Sequence, residues 1–436
     1  MTSHPAHEHA MPLDHRAGAA ASDVLDLYCD LHAHPELAFA EKRTAAVVAE
    51  RLTAMGLEVR TGVGGTGVVG ILRNGTGPTV LLRADMDALP IEEATGLPYA
   101  APAGPDAAMH ACGHDMHVAS LIGALDVLTD RRSGWRGTVV AVFQPAEEIG
   151  EGAQAMIDGG LGTFIPRPDV CLGQHVGPLP VGVVVSRGGP IMAAADSLRV
   201  RLHGRGGHAS SPETTIDPVL LAASVITRLQ GIVAREIRAT DPAVVTVAAV
   251  HAGDKENVIP ETAELTLNVR SFAEPVRERI LAAVRRIVTG EATVSGAPRE
   301  PEFETISAFP VTVNDGAATA RTLGALSRAG LATAELPQPL SASEDFGRLA
   351  ESFGCPSVFW HWGGTDPAAF SDDDLAGLRG GKLPDHVPTN HSPRFAPQPE
   401  PTLAAGITAM VAAAEEWLGT AADDPAETRP HERADA

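Results

Sequence analysis

The run Thr138-Val139-Val140-Ala141-Val142-Phe143-Gln144-Pro145-Ala146-Glu147-Glu148 joins a short apolar segment to a pair of carboxylates. A segment so apolar and rich in β-branched residues reads as a strand covered on both faces, and such strands belong to parallel sheets. The pattern recurs nearby: Thr79 to Arg83 leads into Asp85 and Asp87, and Asp169 to Leu172 leads into Gly173-Gln174-His175. A helical stretch from about Asp115 to Asp130 lies between two of these runs, and such alternation implies βαβ units. In open α/β sheets the ligand crevice lies outside the carboxyl ends of the strands, so separate segments deliver their polar groups to one edge.

Upstream, Ser22 reads as the N-cap of a helix reaching about Leu31, and Ala38 to Met55 as a second helix closed by Gly56. Downstream the rhythm changes between about Pro190 and Ala308. There Ser197 to Leu202 alternates like a half-exposed strand, and Asp217-Pro218 opens a helix. Strand-like Ala243 to Val250 and Ala263 to Val269 follow, then a helix from about Glu274 to Val288 and strand-like Glu302 to Ile306. The order βαββαβ is that of a ferredoxin-like unit. Ser357 to Trp360 and His391 come after it, so the unit is inserted into the larger one. The expected fold is α/β: a mostly parallel sheet flanked by helices, with an inserted α+β ferredoxin-like domain. Its expected segments are a disordered leader 1–20, the main domain 21–189, the insert 190–308, the return of the main domain 309–418, and a disordered acidic tail 419–436.

A chain of 436 residues, 44% hydrophobic and 20% charged, has the composition of a globular protein of about two domains. The formal charge of -22 argues against nucleic acid as a partner, which needs a concentrated basic surface. Cys29, Cys112, Cys171 and Cys355 lie far apart without paired spacing, which argues against a disulfide framework and for a reducing compartment. No secretory core is visible and no run approaches the roughly 18 apolar residues that span a bilayer, so a cytoplasmic location away from membranes is expected. His4, His7, His9 and His15 of the leader read as a histidine-bearing arm without a chemical role.

The chemistry concentrates in Met109-His110-Ala111-Cys112-Gly113-His114-Asp115, in Glu147-Glu148, in His175 and in Asn390-His391-Ser392-Pro393. One thiolate, three imidazoles and a carboxylate form a ligand set that suits Zn, Mn, Co or Ni. Cys112 and His114 flank Gly113, whose backbone freedom lets an i, i+2 pair face one ion. Each element has a plainer reading: a buried thiol, a charge pair favoured by a helix dipole, a hydrogen-bonded structural histidine. A Cys112 nucleophile activated by histidine is a further alternative, but it leaves Glu147, Glu148 and the other histidines without a task. In the insert, Gly204 to Pro212 is a glycine-rich turn carrying His208, without the lysine and serine of a phosphate loop, and Asn257 fits a turn.

From Leu31-His32-Ala33-His34-Pro35-Glu36-Leu37 to Phe395, and most closely in Arg83 to Pro90 and Met109 to His117, the sequence resembles the metal-dependent amidohydrolases that include hippurate hydrolases, N-acyl-amino-acid amidohydrolases and auxin-conjugate hydrolases. The resemblance implies a binuclear site with Cys112 as bridging ligand and His114, Glu148, His175 and His391 completing it. It makes Glu147 the general base, Asp87 a carboxylate that orients a ligand, Asn257 a substrate contact, and His208 a histidine of a lid that in related dimers reaches the other subunit's site. The sequence departs from the family in having Glu213 and Asn390 where histidine is common, and Asp85 places it apart from the aminopeptidase and carboxypeptidase relatives.

The implied enzyme is a homodimer or higher homo-oligomer, built through the lid, that cleaves N-acyl amino acids with two divalent ions. Glu147 would take the proton from water and return it to the leaving amine. A dipeptidase or carboxypeptidase of the same fold is the alternative enzyme. A noncatalytic metal-binding protein is the alternative from another class, and a free Glu147 argues against it.

Overall fold

Four parallel strands carry the molecule, in the sheet order Trp135–Gln144, Thr79–Asp85, Val170–Pro180, Ser357–Thr365. In this computed structural model, which describes residues 15–420, they form the centre of a larger mixed sheet. Glu58–Val63 and Gly67–Asn74 extend one side in antiparallel fashion, and Val183–Ser186 and Ala332–Glu335 extend the other. Thr79–Asp85 is buried at every residue, as its unbroken apolar pattern requires of a strand covered on both faces.

One face is covered by three helices, His15–His32, His114–Asp130 and Pro399–Trp417, which pack on one another. The first begins at His15 and not at the expected Ser22, which takes residues 15–20 out of the expected leader. Ala17, Ala20, Ala21, Val24, Leu27, Tyr28 and Leu31 recur at three- and four-residue spacing and face the core. The alanines at the start of this helix carry little hydrophobic signal, which is why Ala17 and Ala20 read as part of the leader. The second helix runs Lys42–Ala54 and starts later than Ala38 because Phe39 has φ 60° and breaks the helical path. Glu36 supplies the missing cap, its carboxylate accepting from Arg43 N at 2.9 Å and Thr44 N at 2.8 Å. At the other end Gly419–Thr420 pairs with Trp135 and Arg136, which takes these residues out of the expected tail. The leader's His4, His7 and His9 and the tail beyond Thr420 lie outside the described residues.

The second sheet is antiparallel, in the order Ala243–His251, Thr262–Ser271, Ala194–His203, Glu302–Phe309. Helices Pro218–Leu229 and Glu274–Val294 pack on it around a core of its own. This is the ferredoxin-like order read from the sequence. The stretch Pro218–Glu236 is apolar enough by length and composition to span a bilayer, contrary to expectation. It is broken at Gln230, and Leu221, Val225, Leu229 and Ile232 lie in that core.

The early start of the first helix is testable. Ala21→Asp buries a carboxylate in the three-helix core and is expected to cost about 2–4 kcal/mol in urea unfolding, whereas Ser22→Ala stays within about 0.5 kcal/mol. The reverse ranking would restore a helix beginning at Ser22.

Candidate metal centre

The polar groups meet at the carboxyl end of the parallel strands. Asp85 ends Thr79–Asp85, and Asp87 follows it. Glu147 and Glu148 follow Trp135–Gln144 through Ala146, whose φ of 51° turns the chain sharply, and His175 stands on Val170–Pro180. Cys112 and His114 flank Gly113, which has φ 83° and caps the helix His114–Asp130. A Cβ at position 113 would lie 2.4 Å from Val176 Cγ1, so glycine is required there by space as well as by torsion. His391 arrives from a distant loop with φ 67°, a strained conformation for histidine, held by its N–H donating to Ala111 O at 2.9 Å.

The donor atoms converge. Cys112 Sγ lies 3.4 Å from His175 Nε2 and 3.3 Å from His391 Nε2. His391 Nε2 is 3.4 Å from Glu148 Oε2, and His114 Nε2 is 3.9 Å from Glu148 Oε1 and 4.0 Å from Glu147 Oε2. Ligand bonds of 2.0–2.3 Å at tetrahedral angles put neighbouring donors about 3.3–3.7 Å apart, so the closest of these separations suit a shared ion. His114 Nε2 and Glu148 Oε1 are buried without a hydrogen-bond partner, although buried polar atoms are nearly always paired. His175 Nδ1 donates to Val176 O at 2.8 Å, which leaves the Nε2 lone pair facing Cys112. These residues fit divalent cations.

Two further buried groups beside the cluster, His117 and Asp85, are already engaged. His117, which the sequence did not single out as a site residue, falls with Asp85, His114 and His175 in one group close enough to hold an ion. However, its Nδ1 lies against Asp85 Oδ1, and its Nε2 accepts from Val176 N at 2.9 Å. The other oxygen of Asp85 accepts from Arg83 Nη1 at 2.6 Å. Both residues therefore have a holding role. Arg83 is fully buried and also bonds Glu344 at 2.8 Å, with Asp345 at 3.4 Å. These residues too were missed. A charged Arg83 inside an apolar strand, a Glu344-Asp345 pair and a histidine three residues after His114 were the available signals.

Asp87 accepts from Glu147 N at 3.1 Å and Glu148 N at 3.0 Å, and faces His114 Nδ1 at 3.3 Å. Asn390, where histidine was noted as common, donates to Cys112 O and Val176 O, each at 3.1 Å, and so pins two loops together. Glu147 is buried. Burial, with the charges of Glu344, Glu148 and Asp345, lifts its carboxyl well above the ordinary range.

His208 and Asn257 lie elsewhere. Gly207–His208 pairs with Val258–Ile259, and Ala209 N donates to Asn257 O at 3.0 Å. His208 is exposed, its Nδ1 accepting from Ser210 N at 3.1 Å. Among the described residues no hydrogen bond or ion pair joins either to the Cys112 cluster. Another residue of the inserted unit does reach the main one. Arg270 donates through Nη1 to Ser341 O at 3.0 Å and Ser343 Oγ at 2.8 Å, and through Nε to Asn268 Oδ1 at 3.1 Å. No carboxylate pairs with it among the described residues, and its half-burial lowers its pKa.

Without cations the cluster holds protons. Burial opposes charge on His114, but Asp85, Asp87 and Glu148 prevail and raise it to about 10, while burial and the same acidic surroundings push the Cys112 thiol up. Ligation requires both groups deprotonated, so adding Zn or Mn to stripped protein near pH 8 should release about two protons per chain. Affinity should weaken as pH falls. Calorimetry in buffers of different ionisation enthalpy measures the proton count, and a count near zero would exclude His114 and Cys112 as ligands.

Residues 81–374 match the pattern of Peptidase family M20/M25/M40. The chain is 37% identical over 345 residues to a thermostable carboxypeptidase 2 of Saccharolobus solfataricus, covering 78% of this chain and 85% of that one. It is 37% identical over 350 residues to an N-acetylcysteine deacetylase of Bacillus subtilis, covering 79% and 88%. A Bacillus subtilis crystal structure described as a dinuclear metal-binding peptidase of the M20 family superposes with a TM-score of 0.71 at 32% identity, over 92% of this chain and 99% of that one. The strand-end cluster thus sits in a known frame, and the chain belongs to peptidase family M20/M25/M40.

Proposed function

We propose that this hydrolase of C–N amide bonds acts on N-acyl amino acids, releasing a carboxylic acid and a free amino acid, with two divalent cations at the strand ends. The observation that carries the reading is Glu147: a buried carboxyl, turned by Asp87 into the same cleft as the unpaired atoms of His114 and Glu148. A metal store has no use for such a group.

Cys112, His114, Glu148, His175 and His391 would hold the cations. When bound they supply Lewis acidity and a water acidified from 15.7 towards about 7. Glu147 takes the proton from the attacking water and delivers it to the amide nitrogen, which can then leave as an amine. Its raised pKa suits the second half of that duty. Asp87 holds Glu147 and Glu148 in register through their backbone N–H groups. Arg270, a cation without a counter-ion, suits the free carboxylate of the substrate. That anchor serves a C-terminal peptide carboxylate equally well, so a carboxypeptidase is the competing reading, and similarity to one favours it.

His208 would polarise the scissile carbonyl, with Asn257 beside it on the substrate. Their distance from the cluster within one chain is met if a second copy supplies them. The inserted sheet offers an edge strand, Ala243–His251, with Val244 and Val250 exposed, and Val219 and Leu220 are exposed on the helix Pro218–Leu229 of the same unit. We therefore read the enzyme as a homodimer through this lid. Which of Mn, Zn, Co and Ni is resident follows availability as much as ligand chemistry.

Glu147→Gln should lower kcat by about 10²–10⁴-fold while metal content, read by mass spectrometry, stays normal. Loss of metal in that variant would make Glu147 a ligand. Arg270→Met should raise KM by about 10–100-fold for N-acetyl amino acids and leave their carboxamides unaffected. Faster hydrolysis of N-blocked dipeptides than of N-acetyl or N-benzoyl amino acids would favour the carboxypeptidase. Mixing His208→Ala with Glu147→Gln protein should regain part of the activity, because a mixed dimer owns one complete site. No recovery after subunit exchange would place His208 in its own chain's site.

A further inference from the structure

Cys171 and Cys355 are 184 positions apart in the chain, yet their sulfurs lie 3.6 Å apart. They stand on the face of the main sheet opposite the three helices, far along the strand from His175. Cys171 lies at the start of Val170–Pro180, locked into the sheet with its N–H donating to Pro356 O at 2.9 Å. Cys355 follows Gly354, whose φ of 58° ends the helix Gly347–Phe353, and precedes the strand Ser357–Thr365. One sulfur is therefore fixed and buried, and the other sits in a turn and is partly accessible. Arg167 clamps that turn, its guanidinium donating to Phe353 O at 2.8 Å and Gly354 O at 2.7 Å.

We propose that Cys171 and Cys355 form a thiol–disulfide exchange site that takes a low-molecular-weight disulfide and closes into an intramolecular bond. The Cys355 thiolate attacks one sulfur of the incoming disulfide RSSR, forming a mixed disulfide and expelling RS⁻. The Cys171 thiolate, in contact behind it, attacks the Cys355 sulfur and expels the second RS⁻. In sum, two protein thiols and RSSR give one protein disulfide and two RSH, the protein losing two electrons and two protons to the small disulfide.

The order of attack follows from the surroundings. The neighbouring Cys171 thiol, and then Arg167, hold Cys355 below its ordinary pKa against the effect of burial, while burial raises Cys171. Bond formation requires the sulfurs to close to about 2.05 Å, a movement the Cys355 turn can take up without disturbing the strand that carries His175. The bond would close a loop that contains the whole inserted sheet, residues 194–309. Neither cysteine belongs to the metal cluster, so the site is independent of the catalytic reading.

The test treats the metal-loaded full chain with oxidised glutathione near pH 8, followed by a non-reducing peptide map and a thiol count. The expected result is a Cys171–Cys355 linked peptide, the loss of two thiols, and reversal by dithiothreitol. Cys171→Ser should stop at glutathione on Cys355, and Cys355→Ser should leave Cys171 unmodified. The proposal is overturned by a folded wild-type protein that keeps all four thiols, by a Cys355 adduct that never closes, or by a link through Cys29 or Cys112.

Discussion

Asp87 is the side chain on which the geometry of the site depends. Two backbone N–H groups, of Glu147 and Glu148, and the His114 ring all address its carboxylate. One group thus ties three segments that are distant in sequence, and orients the free carboxylate relative to two candidate ligands. Held in this way, adjacent residues Glu147 and Glu148 can take different tasks. Preorganisation of this kind separates a catalytic constellation from a collection of acidic side chains.

A second constraint is charge. Buried Asp85, Asp87, Glu147, Glu344 and Asp345 crowd together beside half-buried Glu148, which would be untenable if all were ionised and unpaired. Arg83 offsets part of this, buried among Asp85, Glu344 and Asp345. Burial nevertheless keeps Glu344 raised, to about 7. The remaining excess of negative charge, together with the orphaned donor atoms, is an environment that divalent cations complete.

The inserted sheet contributes differently. It has its own core and its own helices, and it reaches the main unit through Arg270 at the junction with Ser341 and Ser343. His208 and Asn257 stand on the same unit, with no hydrogen bond or ion pair to the cluster among the described residues. On the proposed reading, a site on one unit and substrate-recognising groups on another would make recognition depend on how the units, and copies of the chain, come together.

The sequence by itself determined the parallel sheet, because runs such as Thr138 to Phe143 are apolar on both faces, and it determined the inserted ferredoxin-like unit through its strand and helix order. It also pointed to Glu147, Glu148 and His175, which belong to the ends of buried strands and so share one edge of the sheet, and to Cys112, His114 and His391 as residue types that suit the same ions. Tertiary structure alone decided the rest. The alanine stripe of the first helix carries too weak a hydrophobic signal to place its start at His15. The partners of Asp85, Arg83 and His117 come from segments far apart, so no local spacing separates the groups that hold from the groups left open. Arg270 reads as one more strand residue until the fold sets it beside Ser343, with no counter-ion among the described residues, and Cys171 and Cys355 are unrelated until a strand and the turn before its neighbour bring their sulfurs together. Patterns along a chain record burial and secondary structure, whereas which polar atom remains unpaired is a property of contacts that only folding creates.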